Sequence, residues 1–201
     1  MTAMQKTTHA IARDSLLSLE SYARQRKEFR AKVMAHKRDR TVHLGEHVTL
    51  VFEDELTIRY QIQEMLRVER IFEDEGIQGE LDAYNPLIPD GRNFKATMMI
   101  EYADAEERKH ALSGLRGIED RVWIQVQGCT RVYPIADEDL ERETEEKTSA
   151  VHFLRFELSE EMAKSLKAGA ALSMGVDHDN YKAEIGAVAN AVRDSLVRDL
   201  D

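Results

Sequence analysis

Apolar positions recur along the chain with two different periods, and the switches between them divide it into helices and strands. Taking 100° per residue, Leu19, Tyr22, Phe29, Val33 and His36 fall on one side of a helix spanning about Ala12 to Asp39, with a break near Ser18. Arg26 lies on that side too, between Tyr22 and Phe29, so the apolar stripe contains a cation. Thr41 to Leu44 and His47 to Phe52 alternate and are rich in β-branched residues. Gly45-Glu46 between them predicts a two-residue turn with glycine first, and hence a hairpin. Asp54 is placed to cap a helix running to about Ile71, with Ile58, Ile62, Met65, Leu66, Val68 and Phe72 on one face and Arg59, Gln63, Arg67 and Arg70 opposite. On this wheel Glu69 lands in the middle of the apolar face, and Glu64 sits on another edge beside Tyr60 and Ile71.

Further along, Ile77 to Asn85 reads as a short helix stopped by Pro86 and the Pro89-Asp90-Gly91 turn. Phe94 to Tyr102 is a strand, and Ala105 to Leu115 a charged helix closed by Gly117. Val122 to Val126 and Thr130 to Tyr133 form a hairpin, and the acidic stretch after Pro134 reads as a loop or a solvated helix. In the strand Val151 to Leu158, alternation places His152, Leu154, Phe156 and Leu158 on one face. Ser159 caps a helix ending at Gly169, Ala171 to Val176 and Tyr181 to Ile185 pair around Asp177-His178-Asp179-Asn180, and a helix from Val188 to Leu200 closes the chain. Helices and hairpins interleave without a βαβ rhythm, which predicts an α+β fold with a largely antiparallel sheet. The expectation is a single domain over residues 1–201, with the 12–39 helix packed on its core.

Charge changes this picture locally rather than globally. Over 201 residues the formal net charge is -10, but Ser21 to Leu44 holds eight Lys/Arg against Glu28 and Asp39, a balance of +6. Asp137 to Glu146 holds seven acids against Arg142, a balance of -6. The two segments are expected to pair, within one chain or between protomers, which points to a protein partner or a homo-oligomer. The basic helix could instead lie along phosphates, but the acidic total and the lack of an aromatic-rich stacking strand argue against nucleic acid. No apolar run reaches bilayer length, and the opening Met1 to His9 lacks a basic stretch followed by an apolar one, so no membrane is expected and a cytoplasmic location is. Cys129 is the one cysteine, which excludes an internal disulfide and a cysteine-rich zinc knuckle.

Phosphate-loop, dinucleotide-fold, serine-hydrolase and zincin motifs are all absent. What remains is charge in apolar places. A carboxylate on an apolar stripe needs a cation, a hydrogen-bond network, a metal or a proton. The first solution is a structural ion pair between Arg26 and Glu69. The second is a metal or acid/base site built from Glu64, Glu69 and Glu80 with His152, a carboxylate and imidazole set suited to a divalent metal such as iron, manganese or zinc. Glu107-x-x-His110, the one Glu-x-x-His pair, lies on a helix so charged that it reads as solvated, and Asp177-His178-Asp179 reads as turn chemistry.

Four segments carry a resemblance: Glu20-x-Tyr22-x-x-x-Arg26-x-x-Phe29-Arg30; Phe52-Glu53 followed by Gln61-Ile-Gln-Glu64-Met-Leu-Arg67-x-Glu69; Glu80-Leu-Asp82-x-Tyr84-Asn85; and Ser149-Ala-Val-His152-Phe-x-Arg155-Phe156. Together they resemble a bacterial family known only as domain of unknown function number 3501, over most of the chain. The resemblance brings no catalytic residues. It implies, through genomic association with rubrerythrin-like and iron–sulfur proteins, a redox or peroxide-stress setting. The readings are therefore an accessory or binding protein serving an iron-dependent redox partner, a metal-dependent enzyme with a Glu/His site, or a nucleic-acid binder.

Overall fold

The computed structural model describes residues 10–140, 142–144 and 146–201. Met1 to His9, and Glu141 and Glu145 of the acidic segment, lie outside the described residues.

Local sequence sets the first half. Ser18 accepts a hydrogen bond from the Ser21 backbone N–H and so starts α1 (Leu19–Arg38), after a 3-10 turn at Arg13–Ser15. The hairpin β1 (Thr41–Leu44) and β2 (Val48–Phe52) follows. Leu44 pairs with Val48, so the turn is three residues long, not two. The cause comes from far away in sequence: the Tyr181 hydroxyl donates to the Leu44 carbonyl and accepts from the His47 N–H, occupying the place of the tight-turn bond. A Cβ at Gly45 (φ +73°) would meet that hydroxyl at 2.6 Å. Asp54 and Thr57 then form a reciprocal capping box for α2 (Glu55–Val68). α2 stops short of the expected Ile71, because Glu69 caps it and Arg70 turns left-handed at φ 56°.

The remaining elements are α3 (Asp74–Tyr84), β3 (Asn93–Ile100), α4 (Ala105–Gly114), β4 (Val122–Val126), β5 (Arg131–Val132), β6 (Ile135–Ala136), β7 (Val151–Glu157), α5 (Glu160–Lys167), β8 (Leu172–His178), β9 (Tyr181–Ile185) and α6 (Asn190–Val197). The fold is α+β with two antiparallel sheets, ordered β1-β2-β3-β7-β6 and β5-β4-β8-β9. Their inner faces share one apolar cluster, in which Leu50, Phe52, Phe94, Met98 and Phe156 of the first sheet meet Ile124, Leu172 and Met174 of the second. All five residues of β2 are buried, so both of its faces are covered. A second, smaller cluster lies among the helices, centred on Ile58, Ile62, Leu66 and Leu81 and closed by Ile11 and Leu16. No helix among the described residues is long and apolar enough to cross a membrane.

The acidic segment is neither a helix nor a free loop. Ile135 and Ala136 pair with Arg155 and Leu154 at the edge of the first sheet. Its carboxylates are matched locally, Asp137 and Asp139 by Arg142 and Glu138 by Arg155, so among the described residues it makes no ion pair with the basic helix. Pairing of the two segments within one chain is corrected for the described residues: Arg24 pairs with Glu20, Arg26 with Glu64, and Arg40, just beyond the helix, with Asp54 and Asp199.

Candidate functional site

The cation on the first helix finds a carboxylate, but a different one from that expected. Arg26 donates from Nε and Nη2 to the two oxygens of Glu64 at 2.7 and 2.8 Å, Tyr22 donates to the same carboxylate at 2.7 Å, and Arg67 approaches it at 3.2 Å. The Arg26 hydrogen bonds hold the Glu64 carboxyl at about 2, against the opposing push of burial. Glu64 in turn raises the Tyr22 hydroxyl, adding to the effect of its burial. Glu69 is exposed at the end of α2 and makes no ion pair with Arg26. The error lay in the helical wheel: projected past Val68, it created a false apolar face, of which Val68 is 57% and Phe72 71% exposed.

The proposed metal set of Glu64, Glu69, Glu80 and His152 does not converge either. Glu64 belongs to the α1–α2 contact, Glu69 faces solvent, and Glu80 sits half-buried on α3. His152 gathers a different set. Among the described residues, one ligand-type atom from each of Glu119, Asp137 and His152 lies within 4.8 Å of the others.

Three separate pieces of chain build this centre. β7 carries His152 on the alternating face the sequence indicates, and its imidazole is fully enclosed. The acidic segment brings Asp137, whose backbone bends to φ 48° just after β6. One Asp137 oxygen accepts from His152 Nδ1 at 2.5 Å and the other from the Phe153 N–H at 2.9 Å. Glu119 comes from a 3-10 turn, Ile118–Arg121, entered through Gly117 at φ 75° and leading into β4. His152 Nε2 faces the Thr148 hydroxyl at 3.0 Å, the Ser149 carbonyl at 3.1 Å and Glu119 Oε2 at 3.9 Å. With Asp137 held at Nδ1, Nε2 is the ring atom that faces Glu119. Burial pushes the Glu119 carboxyl up, and the Thr148 hydroxyl reaches it only at 3.4 Å. Among the described residues Glu119 has no Lys or Arg partner, unlike Asp137, which Arg142 approaches at 3.1 Å.

Thr148, His152 and Asp137 follow the order hydroxyl, imidazole, carboxylate of a hydrolytic triad. Thr148 is 1% exposed, so no substrate carbonyl reaches it, and a nucleophilic role is excluded in this conformation. What the arrangement can do is hold a positive charge between Nε2 and Glu119, with Asp137 orienting the ring. Neither carboxylate was singled out from the sequence. Asp137 is one acid among seven, and Glu119 lies 33 residues from His152 in a turn with no periodic signal. In the sequence, only Gly117, followed by Glu119 and Asp120 ahead of a strand, marks a turn there.

Asp177 accepts from the Tyr133 hydroxyl and His178 Nε2 lies 3.0 Å from the Arg116 carbonyl, so both tie the β8–β9 hairpin to neighbouring segments. Cys129 is half-buried beside the β4–β5 turn, and Glu107 and His110 are exposed on α4.

A crystal structure of a "novel protein of unknown function" from Burkholderia pseudomallei K96243 is similar to this chain, with 57% identity, a TM-score of 0.92, and coverage of 96% of this chain and 100% of that one. No curated protein matches the chain. The family model described as "Protein of unknown function (DUF3501)" matches residues 10–200, and the chain belongs to that family.

Proposed function

We propose that this protein binds a divalent cation between His152 and Glu119. The observation that carries this reading is a buried carboxylate, Glu119, with no Lys or Arg partner among the described residues, 3.9 Å from the Nε2 of an enclosed histidine whose other nitrogen is held by Asp137. A lone buried carboxylate is costly, and a cation between these two atoms would remove the cost. The Ser149 carbonyl, 3.1 Å from Nε2, is spaced as a third ligand. One imidazole with oxygen donors suits manganese, ferrous iron or zinc and, lacking thiolate, disfavours cuprous ion. The donor set agrees with the iron-dependent setting that the family resemblance implies, in an accessory role rather than as an enzyme, since the centre is closed to substrates.

Elemental analysis after chelator-free purification should find about one equivalent of such a metal, and calorimetric titration of the stripped protein should restore it. E119Q, which keeps the shape and removes the charge, should weaken binding at least tenfold, in the range expected for losing a ligand or its support. Protein that purifies without metal and takes up none of the three at millimolar concentration would overturn the proposal.

A further inference from the structure

The other side of β7 carries a second feature. A groove of about 280 Å³ lies between the first sheet and the Asn85–Leu87 turn, lined by Pro86, Leu87, Ala96, Phe153 and Leu154. That volume is at the lower end of small-molecule sites, which run from roughly 300 Å³ upward.

The charges around it are not equivalent. Glu138 and Asp139 are taken by Arg155 and Arg142. Two charged groups are left over. Lys95 donates to the Pro86 carbonyl at 2.6 Å and makes no ion pair among the described residues. Glu53, 8% exposed, accepts among the described residues only from the Thr57 and Thr97 hydroxyls, at 2.5 and 2.7 Å. Glu53 directly follows β2 and lies beside Lys95 of β3, its N–H donating to the Lys95 carbonyl, yet the two side chains form no ion pair. Burial holds the Lys95 amine below the usual lysine value, against the pull of Asp90, Glu138 and Glu157, none of which forms an ion pair with it.

We infer that this groove binds a small zwitterion with an apolar body, an α-amino acid with an aliphatic or aromatic side chain, its carboxylate on Lys95 and its ammonium on Glu53. An anion alone would leave Glu53 facing it, and a cation alone would meet Lys95. A zwitterion satisfies both groups while its side chain covers the apolar lining. The site is separate from the His152 centre and does not depend on a metal there.

The test uses the full chain and four probes: leucine, glycine, 4-methylpentanoate, which keeps the carboxylate alone, and isoamylamine, which keeps the amine alone. Binding is read by calorimetry or by amide shifts of Lys95, Ala96 and Phe153. Leucine should bind at least tenfold more tightly than either singly charged analogue. Glycine should fall well below leucine, since each lost methylene costs roughly three- to fourfold. K95Q, which keeps a donor for Pro86, should abolish the advantage of leucine over isoamylamine. E53Q, isosteric and still able to meet both threonines, should abolish its advantage over 4-methylpentanoate. Binding of either singly charged analogue as tight as leucine in the unaltered protein would overturn the inference, as would no saturable binding of any probe to 10 mM.

Discussion

At the scale of single residues, the clearest consequence follows from Glu64. Its carboxyl lies at about 2 in the folded protein, against 4.5 for an ordinary glutamate, chiefly because Arg26 donates to both oxygens. The folded state therefore favours the ionised form. The stabilisation is complete above the unfolded value near 4.5 and is lost as pH falls through 2. Thermal melts of the protein and of E64Q should differ at pH 6, and the difference should shrink steadily between pH 4.5 and 2. A difference constant over that range would show that Glu64 acts through shape rather than charge. Gly175 makes a purely steric case. A Cβ there would stand 2.4 Å from Trp123 Cζ2 and 2.7 Å from the Ala183 carbonyl, with Trp123 itself pinned beneath Arg131 at 3.7 Å. G175A should cost about 1–3 kcal/mol by overpacking, measured by denaturant unfolding. The glycine is identifiable in the sequence, but its neighbours are not, because the contact joins residues 52 positions apart.

At the scale of elements, the N-terminal segment is held by two side-chain amides. Gln63, fully buried on α2, accepts from the Leu17 N–H at 2.8 Å and donates to the Leu17 carbonyl at 3.2 Å. Asn85 does the same to Ile11, at 2.8 and 3.1 Å. These clasps carry Ile11 and Leu16 into the helical cluster. Q63A should cost about 1–3 kcal/mol, as a buried amide partner is lost, and should speed proteolytic cleavage near residues 11–18 more than cleavage elsewhere. Element types were legible from periodicity: α1 with its Ser18 cap, the β1–β2 hairpin, β7 with its inward His152 face, and α5 with its Ser159 cap lie close to where the pattern puts them. The failures have a common physical origin. The wheel puts Gln63 opposite the apolar face, because a wheel with one apolar side has no place for a helix buried on several sides. β6 was missed because two residues pair at a sheet edge without an alternating run. Glu69 was placed inward because periodicity does not register a left-handed residue such as Arg70.

At the scale of the molecule, two apolar clusters have to be joined, and one residue touches the elements around both. Arg40 is 1% exposed. It donates to the Phe52 and Glu53 carbonyls at the end of β2, to the Ser195 carbonyl in α6, and to Asp199 at 2.5 Å, and it lies 3.5 Å from Asp54, the cap of α2. His36 of α1 completes the group, 2.5 Å from Asp54. Burial pushes the Asp199 carboxyl up to about 6 even against the pull of Arg40, which measures how poorly that position tolerates a bare charge. Counting charges along the sequence assigns Arg40 to a solvated basic run; only the return of the last helix, more than 150 residues later, makes it central. R40M keeps much of the volume but strands two carboxylates and three backbone carbonyls, so it should cost about 3–5 kcal/mol, the range for breaking a buried pair from one side. The pattern of loss distinguishes a junction from an ordinary core residue. Hydrogen exchange in R40M should rise first in α1, α2 and α6, the elements Arg40 ties to β2, while β3, β4 and β8 in the sheet core keep their relative protection. Uniform acceleration in every element would mean that Arg40 supports the global core alone and that the helical layer is joined to the sheets by other contacts.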